Sequence, residues 1–303
     1  MAPVIKNVAI AGTGGNVGAP ALKQLVQAGF NVLVLIRTPK PRDDLPAGAT
    51  AKTVDFSSVE SLTNALQGQD AIVDATSTPG TTEISKRLID AAVAAGVYRI
   101  IPPEFSGDPN QAATRALPPF APKAEVYEYL KEKTKGTKTT WTTISNQAFL
   151  DWCMRYAVMN IDIKKKKVIK MYDGNYVMEW TLLESVAKAI VGALKKPAET
   201  ENLNCYIHSI KKSQNQMVEL AKDALGADGW QIEQGDLKKA FVDAIEALQN
   251  GKFDMQAFTD MIRYGAVSPE FAKPFPEDHN ELLGVPTMSD EELKDMFKQI
   301  ASE

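Results

Sequence analysis

"NVAIAGTGGNVG", residues 7–18, decides the fold. A short apolar run of strand character ends in glycine, and three glycines follow at equal spacing, Gly12-x-x-Gly15-x-x-Gly18, with Gly14 crowding the motif. Helical spacing begins at once in "PALKQLVQAGF" (20–30). A strand, a glycine turn and a helix in that order form a cradle for a dinucleotide. The first glycine permits the tight turn. The second lets the backbone approach a pyrophosphate, and the third lets helix and strand pack closely. The helix N-terminus adds free N–H groups and the positive end of its dipole. Gly12, Thr13, Gly15, Asn16, Val17 and Gly18 are therefore candidate cofactor-binding residues.

The same alternation continues outward. "NVLVLIR" (31–37), "AKTVDF" (51–56), "AIVDATS" (71–77), "RIIPPEF" (99–105) and "TTWTTISN" (139–146) read as buried strands. Amphipathic stretches lie between them at 58–69, 83–97 and 123–133. Strands alternating with helices predict a parallel sheet covered on both faces, an α/β, Rossmann-type doubly wound fold. Residues 106–122 read as a long loop rich in Pro, Gly, Asp and Asn, and long loops in compact domains often serve function. The expected division is a dinucleotide-binding domain over 1–150 and a smaller, mostly helical substrate region over 151–303. A late strand near 202–209 is expected to return to the sheet. Ser289 followed by Glu292 is a capping-box signature for the last helix.

Composition narrows the function. The chain has 303 residues, 44% apolar and 24% charged, enough to bury a substantial core without covalent staples. A net charge of −4 argues against a nucleic-acid partner, since polyanion binding needs many Lys and Arg contacts. The basic run Lys164 to Lys167 reads as a solvated loop or strand end. The two cysteines, Cys153 and Cys205, sit in apolar stretches without metal-ligand spacing and read as buried thiols of a reducing, cytoplasmic compartment. His208 and His279 lack the partners of a metal site, so no metal is expected. The N-terminus lacks the features of a signal peptide, and no stretch approaches the roughly 18 apolar residues of a membrane span.

The second strand ends in Arg37, with Lys40 and Arg42 close behind. A carboxylate there would hold the ribose 2′-OH of NAD; a guanidinium would attract the 2′-phosphate of NADP. NADP(H) is the expected cofactor, read mainly by Arg37, with Lys40 as a further candidate. Asp55, ending the third strand, either accepts from the adenine amino group or caps the helix beginning at Ser57. Thr76 and Ser77, after the fourth strand, are cofactor contacts by position, or merely close a turn.

"FAPKAEVYEYLKEK" (120–133) offers two lysines. Tyr127-x-x-x-Lys131 imitates the catalytic pair of short-chain dehydrogenases. Lys123 lies 23 positions before Asn146 at the end of the sixth strand, whereas Lys131 lies only 15 before it. The resemblance to short-chain dehydrogenases implies a lysine that holds the nicotinamide ribose at about the longer of these spacings from the strand end, so Lys123 fits and Lys131 is about two turns too close. Lys123 is therefore the candidate catalytic and cofactor-facing lysine, and Tyr127, one turn later, a weaker one.

At this point "RIIPPEFSGDP…FAPK…TTISNQAF" resembles the NmrA-like, isoflavone-reductase-like branch of atypical short-chain dehydrogenases, and within it the fungal type. Its relatives include the pinoresinol–lariciresinol and phenylcoumaran benzylic ether reductases. The carrying residues are Pro103-Glu104-Phe105, Phe120-Ala121-Pro122-Lys123 and Asn146-Gln147-Ala148-Phe149. The resemblance implies an NADPH-dependent oxidoreductase of secondary metabolism acting on an aromatic or conjugated small molecule, with Lys123 as general acid/base and Asn146 near the cofactor. Glu104, Phe105, Tyr127, Phe149 and Trp152 are candidate pocket residues, with Met154 and Tyr156 beside them. Glu104 either orients Lys123 or is a structural cap. Pro102-Pro103 and Ser106 depart from the plant motif, so plant substrates do not carry over. The alternative within the same resemblance is a dinucleotide-binding redox sensor that acts through a protein partner.

Overall fold

The computed structural model describes residues 2–37, 45–76, 80–252 and 254–303. Lys40, Arg42 and Ser77 lie outside the described residues. The first half runs β1 (Asn7–Ala11), α1 (Gly18–Gln27), β2 (Asn31–Ile36), β3 (Ala49–Thr53), α2 (Val59–Leu66), β4 (Ala71–Asp74), α3 (Thr82–Ala95), β5 (Arg99–Ile101), α4 (Ala112–Arg115), α5 (Ala121–Thr134) and β6 (Thr140–Ser145). The second half runs β7 (Ala148–Phe149), α6 (Leu150–Arg155), β8 (Ile161–Asp162), β9 (Lys167–Lys170), β10 (Val177–Thr181), α7 (Leu183–Lys195), β11 (Leu203–Tyr206), β12 (Ile210–Ser213), α8 (Gln214–Leu225), β13 (Gln231–Gln234), α9 (Leu237–Gln249), α10 (Met255–Val267), α11 (Asn280–Leu283) and α12 (Asp290–Ser302).

Seven strands form one parallel sheet in the order β11-β6-β5-β4-β1-β2-β3. The strand order reverses beside β1, so the crevice at the carboxyl ends of β1 and β4 is the topological switch point where such folds bind ligands. β1 shows why both faces are covered. Val8 and Ile10 pack into the layer of Leu22 and Leu25 from α1 and Ile190 and Leu194 from α7. Ala9 and Ala11 point the other way, into Leu62 and Leu66 of α2, Leu88 of α3 and Leu130 of α5. A central strand with apolar side chains on both sides is stable only between two helical layers. This is the doubly wound α/β fold that the strand–helix alternation predicts.

A separate apolar cluster gathers after β6, built on Met159, Met178, Trp180, Met217, Tyr264 and Phe297. It is mostly helical but also holds two small sheets that the sequence pattern does not announce: β12-β10-β7 and β13-β9-β8. Their strands are two to five residues long, as in Lys167–Lys170 and Gln231–Gln234, too short to show alternation. The basic run lies in the turn entering β9, and Lys166 Nζ donates to the carbonyls of Leu225 and Asp228. The expected loop 106–122 contains α4 and the first turn of α5, where Pro122 is tolerated because the first N–H groups of a helix have no acceptor. Ser289 and Glu292 form the expected capping box of α12. Among the described residues, no helix is long and apolar enough to cross a membrane.

Candidate active site

The turn between β1 and α1 is built around glycines at two of its three spaced positions for steric reasons. Gly12 has φ of +85°, and a Cβ there would fall inside 3.0 Å of the Ala75 carbonyl at the end of β4. A Cβ on Gly18 would fall inside 3.0 Å of the backbone of Gly12 and Thr13, so this glycine lets α1 sit against the strand end. Gly15 is different. Its nearest neighbour to a Cβ would be Gly12 O at 3.4 Å, an ordinary contact, and it faces the cavity. The protein interior does not require glycine at position 15; a ligand approaching the backbone would. Asn16 and Val17 line the cavity beside it, Thr13 is buried, and the first turn of α1 carries no acidic side chain. The N–H groups of Ala19 and Ala21 are taken by the carbonyls of Gly15 and Val17, and Pro20 has none, so the donors an anion could meet are those of the turn at Asn16, Val17 and Gly18.

Arg37 stands exposed immediately after β2, beside β1. Asp55 is taken up locally: one carboxylate oxygen accepts from the Ser57 N–H at 2.8 Å and from the Ser57 hydroxyl at 2.6 Å. These bonds hold its pKa below the ordinary carboxylate range. The cap of α2 is Ser58, not Asp55. Thr76 lines the cavity, and its N–H and hydroxyl both donate to Asp74 Oδ1, at 3.0 and 2.6 Å. Asp74 carries no signal in the sequence, because nothing in "AIVD" distinguishes a buried carboxylate from a strand end. Burial pushes its pKa up, against the hydrogen bonds from its neighbours.

Lys123 projects from the first turn of α5 into this crevice. Its Nζ donates to the carbonyls of Pro103 at 2.5 Å and Glu104 at 2.8 Å. Burial of the ammonium is the main cause of a pKa pushed down to about 8; Glu104 opposes the shift, Arg115 reinforces it and Asp74 opposes it. The walls nearby are strained. Phe105 has φ of 22° and Gln147 of 51°, both unusual for side-chain-bearing residues, and both line the cavity. The Ser106 carbonyl holds them in register by accepting from the N–H groups of Asn146 and Gln147.

The cavity has a volume of about 350 Å³. It runs from Gly15, Ala75 and Thr76 past Phe105 and Lys123 to Phe149, Trp152, Met178 and the α10 residues Phe258, Ile262 and Ala266. The end at the glycine turn is polar and suits a dinucleotide, and the far end is apolar. The α10 wall carries no sequence signal: its apolar spacing looks like that of any core helix.

Several expected pocket residues stand elsewhere. Glu104 turns its carboxylate away from the cavity into a two-pronged ion pair with Arg115, at 2.8 and 2.9 Å, both side chains buried. Neither the capping reading nor direct orientation of Lys123 by the carboxylate is realised; only its backbone carbonyl touches the lysine. Tyr127 is buried on the other side of α5, edge-on to Trp141, with its hydroxyl donating to Asn204 Oδ1 at 3.1 Å. Lys131 lies over the Tyr127 ring and pairs with Glu128 at the surface, so this pair packs and does not line the cavity. Asn146 is fully buried behind the wall, donating to the Gln147 carbonyl, and its neighbour Gln147 lines the cavity in its place. Met154 packs into the second apolar cluster and Tyr156 is exposed. Cys153 borders the cavity and Cys205 is buried in the sheet layer; burial pushes both thiols up to about 12. His279 accepts from the Tyr206 N–H at 3.2 Å, and His208 lies 3.5 Å from Asp278.

Comparison with known proteins identifies the family and the fold. Residues 12–197 match the family described as NAD(P)H-binding. The oxidoreductase poxI of Penicillium oxalicum is 30% identical over 243 residues, covering 78% of this chain and 75% of that protein. The oxidoreductase aprR of Aspergillus flavus is 28% identical over 296 residues, covering 94% and 96%. Among solved structures, an isoflavone reductase superposes with a TM-score of 0.76 at 17% identity, covering 96% of this chain and 99% of that one, which establishes the shared fold. The chain belongs to the NAD(P)H-binding family, with fungal oxidoreductases among its relatives and the isoflavone-reductase fold as its architecture.

Proposed function

We propose that the protein is an NADPH-dependent reductase that delivers hydride to an aromatic or conjugated small molecule, with Lys123 as the acid that protonates the product. The observation that carries this reading is the placement of one lysine, partly desolvated, at the junction between the polar and apolar ends of the cavity. The reduced nicotinamide supplies the hydride; the rest is the work of the chain. The turn from Gly15 to Gly18, where Gly15 leaves room for a close approach, receives the phosphates on the N–H groups of Asn16, Val17 and Gly18, and Arg37 at the end of β2 favours the 2′-phosphate. Thr76 stands at the switch point, oriented by Asp74.

The apolar far end positions a flat substrate and excludes water. With a pKa of about 8, Lys123 carries its proton at neutral pH yet surrenders it more readily than an exposed lysine would. The carbonyls of Pro103 and Glu104 leave one of its three N–H bonds to point at a developing oxyanion. The names of the relatives, oxidoreductases and an isoflavone reductase, support an aromatic substrate class. The test is NADPH oxidation across a panel of aromatic ketones, enones and benzylic ethers. A hit on the native protein that vanishes in Lys123→Met supports the reading; turnover undiminished in that variant refutes it.

A further inference from the structure

The buried Glu104–Arg115 pair has no place in the chemistry above, yet it is built into the turn that holds the lysine. We propose that this pair is the positioning element of Lys123: it locks the turn after β5 whose carbonyls grip the ammonium, and it fixes the charge that the ammonium faces. The proposal rests on the role assigned to Lys123 above.

The geometry is specific. Arg115 Nη1 and Nη2 meet the two oxygens of Glu104 at 2.8 and 2.9 Å, fork to fork, with the side chains 6% and 1% exposed. Such a pair is costly to bury and is destabilised strongly if one partner is lost, so its presence beside a cavity calls for a reason other than stability. The residue it clamps is the one whose carbonyl accepts from Lys123, and the next residue, Phe105, holds the strained φ of 22°. Arg115 reaches this point from α4, inside the segment 106–122, and itself lines the cavity.

Among the described residues, the charged and titratable groups around Lys123 are few. Asp74 faces it from the end of β4, Glu104 from the turn after β5 and Arg115 from α4. Asp108 and the neutral thiol of Cys153 also border the cavity, and on its own helix Tyr127 is turned away to Asn204. Glu104 and Arg115 act on Lys123 in opposite directions. Removing the arginine strips away a repelling cation and leaves an attracting carboxylate. Removing the carboxylate's charge does the reverse.

The opposed signs make the test. Trace acetylation with acetic anhydride across neutral to alkaline pH, read by peptide mass spectrometry, gives the midpoint at which Lys123 becomes nucleophilic without needing any substrate. The native midpoint is expected near about 8. Arg115→Met is expected to raise it and Glu104→Gln to lower it, each by roughly one pH unit, while Arg115→Lys, which keeps the charge, leaves it near the native value. A pair that only braces the turn would, when broken by any of the three, let water reach the lysine and move every midpoint upward. An upward shift in Glu104→Gln, or no shift in either charge-removing variant, overturns the proposal. If Glu104→Gln does not fold, the contrast between Arg115→Met and Arg115→Lys decides: equal upward shifts overturn it. Because the readout is acetylation, a functional reading that fails through active Lys123→Met leaves this result independently interpretable.

Discussion

Replacing Gly15 with alanine separates cofactor binding from packing. The added methyl would meet nothing closer than Gly12 O at 3.4 Å and Ala75 O at 3.9 Å, and Gly15 has no left-handed backbone to strain. Stability should therefore change by less than about 1 kcal/mol, with the reduced freedom of the unfolded chain acting in favour of the variant. Gly15 lines the cavity where the backbone is expected to meet a phosphate, and added bulk there would hold the phosphate off the N–H groups of Asn16, Val17 and Gly18. Loss of one or two charge-assisted hydrogen bonds costs about 1.5–3 kcal/mol each, which corresponds to a fall in NADPH affinity of roughly 10- to 100-fold or more. Trp152 lines the cavity, so quenching of tryptophan fluorescence reports binding, and thermal melting of the apoprotein reports stability. A variant that melts like the native protein and binds NADPH with unchanged affinity would refute the placement of the phosphates at Gly15. A variant that loses more than about 2 kcal/mol would refute the steric account.

Gly18→Ala should behave differently: its methyl collides with the backbone of Gly12 and Thr13, so urea unfolding should show a loss of about 1–3 kcal/mol together with weaker binding. Arg37→Ser should lower affinity for NADPH about tenfold or more and leave NADH unchanged, measured by parallel titrations. Tyr127→Phe should cost about 1 kcal/mol, because its bond to Asn204 is lost while Asn204 keeps the Thr143 hydroxyl, and turnover should not change; a loss as deep as that of Lys123→Met would restore the tyrosine–lysine pair as catalytic. Turnover should be steady below the pKa of Lys123 and fall as pH rises through about 8, because the acid form is lost there; a rate that climbs through that window would make the lysine a base.

The legible features of this sequence are the local ones. Gly12, Gly15 and Gly18 announce a turn because strand, glycine and helix are contiguous. Lys123 is separable from Lys131 because its distance to the end of β6 matches that of the ribose-facing lysine in the short-chain dehydrogenases that this stretch resembles. Asp74 and Arg115 were not legible. A buried carboxylate at a strand end and an arginine in a proline-rich segment acquire their roles only from partners across the fold, and no periodicity records them. Glu104 stands out in the sequence but not its place in the fold, for the same reason: its partner, 11 positions away, is set by how α4 packs and not by spacing along a helix. The small sheets escaped because strands as short as Ala148–Phe149 carry too few residues to alternate.

The most direct measurement is equilibrium titration of the native protein with NADPH, NADP+, NADH and NAD+, each alone, followed by tryptophan fluorescence. The account predicts tight binding of NADPH and far weaker binding of NADH, with reduced dinucleotide bound at least as well as oxidised. A clear preference for the oxidised dinucleotides, or no discrimination by the 2′-phosphate, would contradict it and point to a sensor of dinucleotide state instead of a reductase.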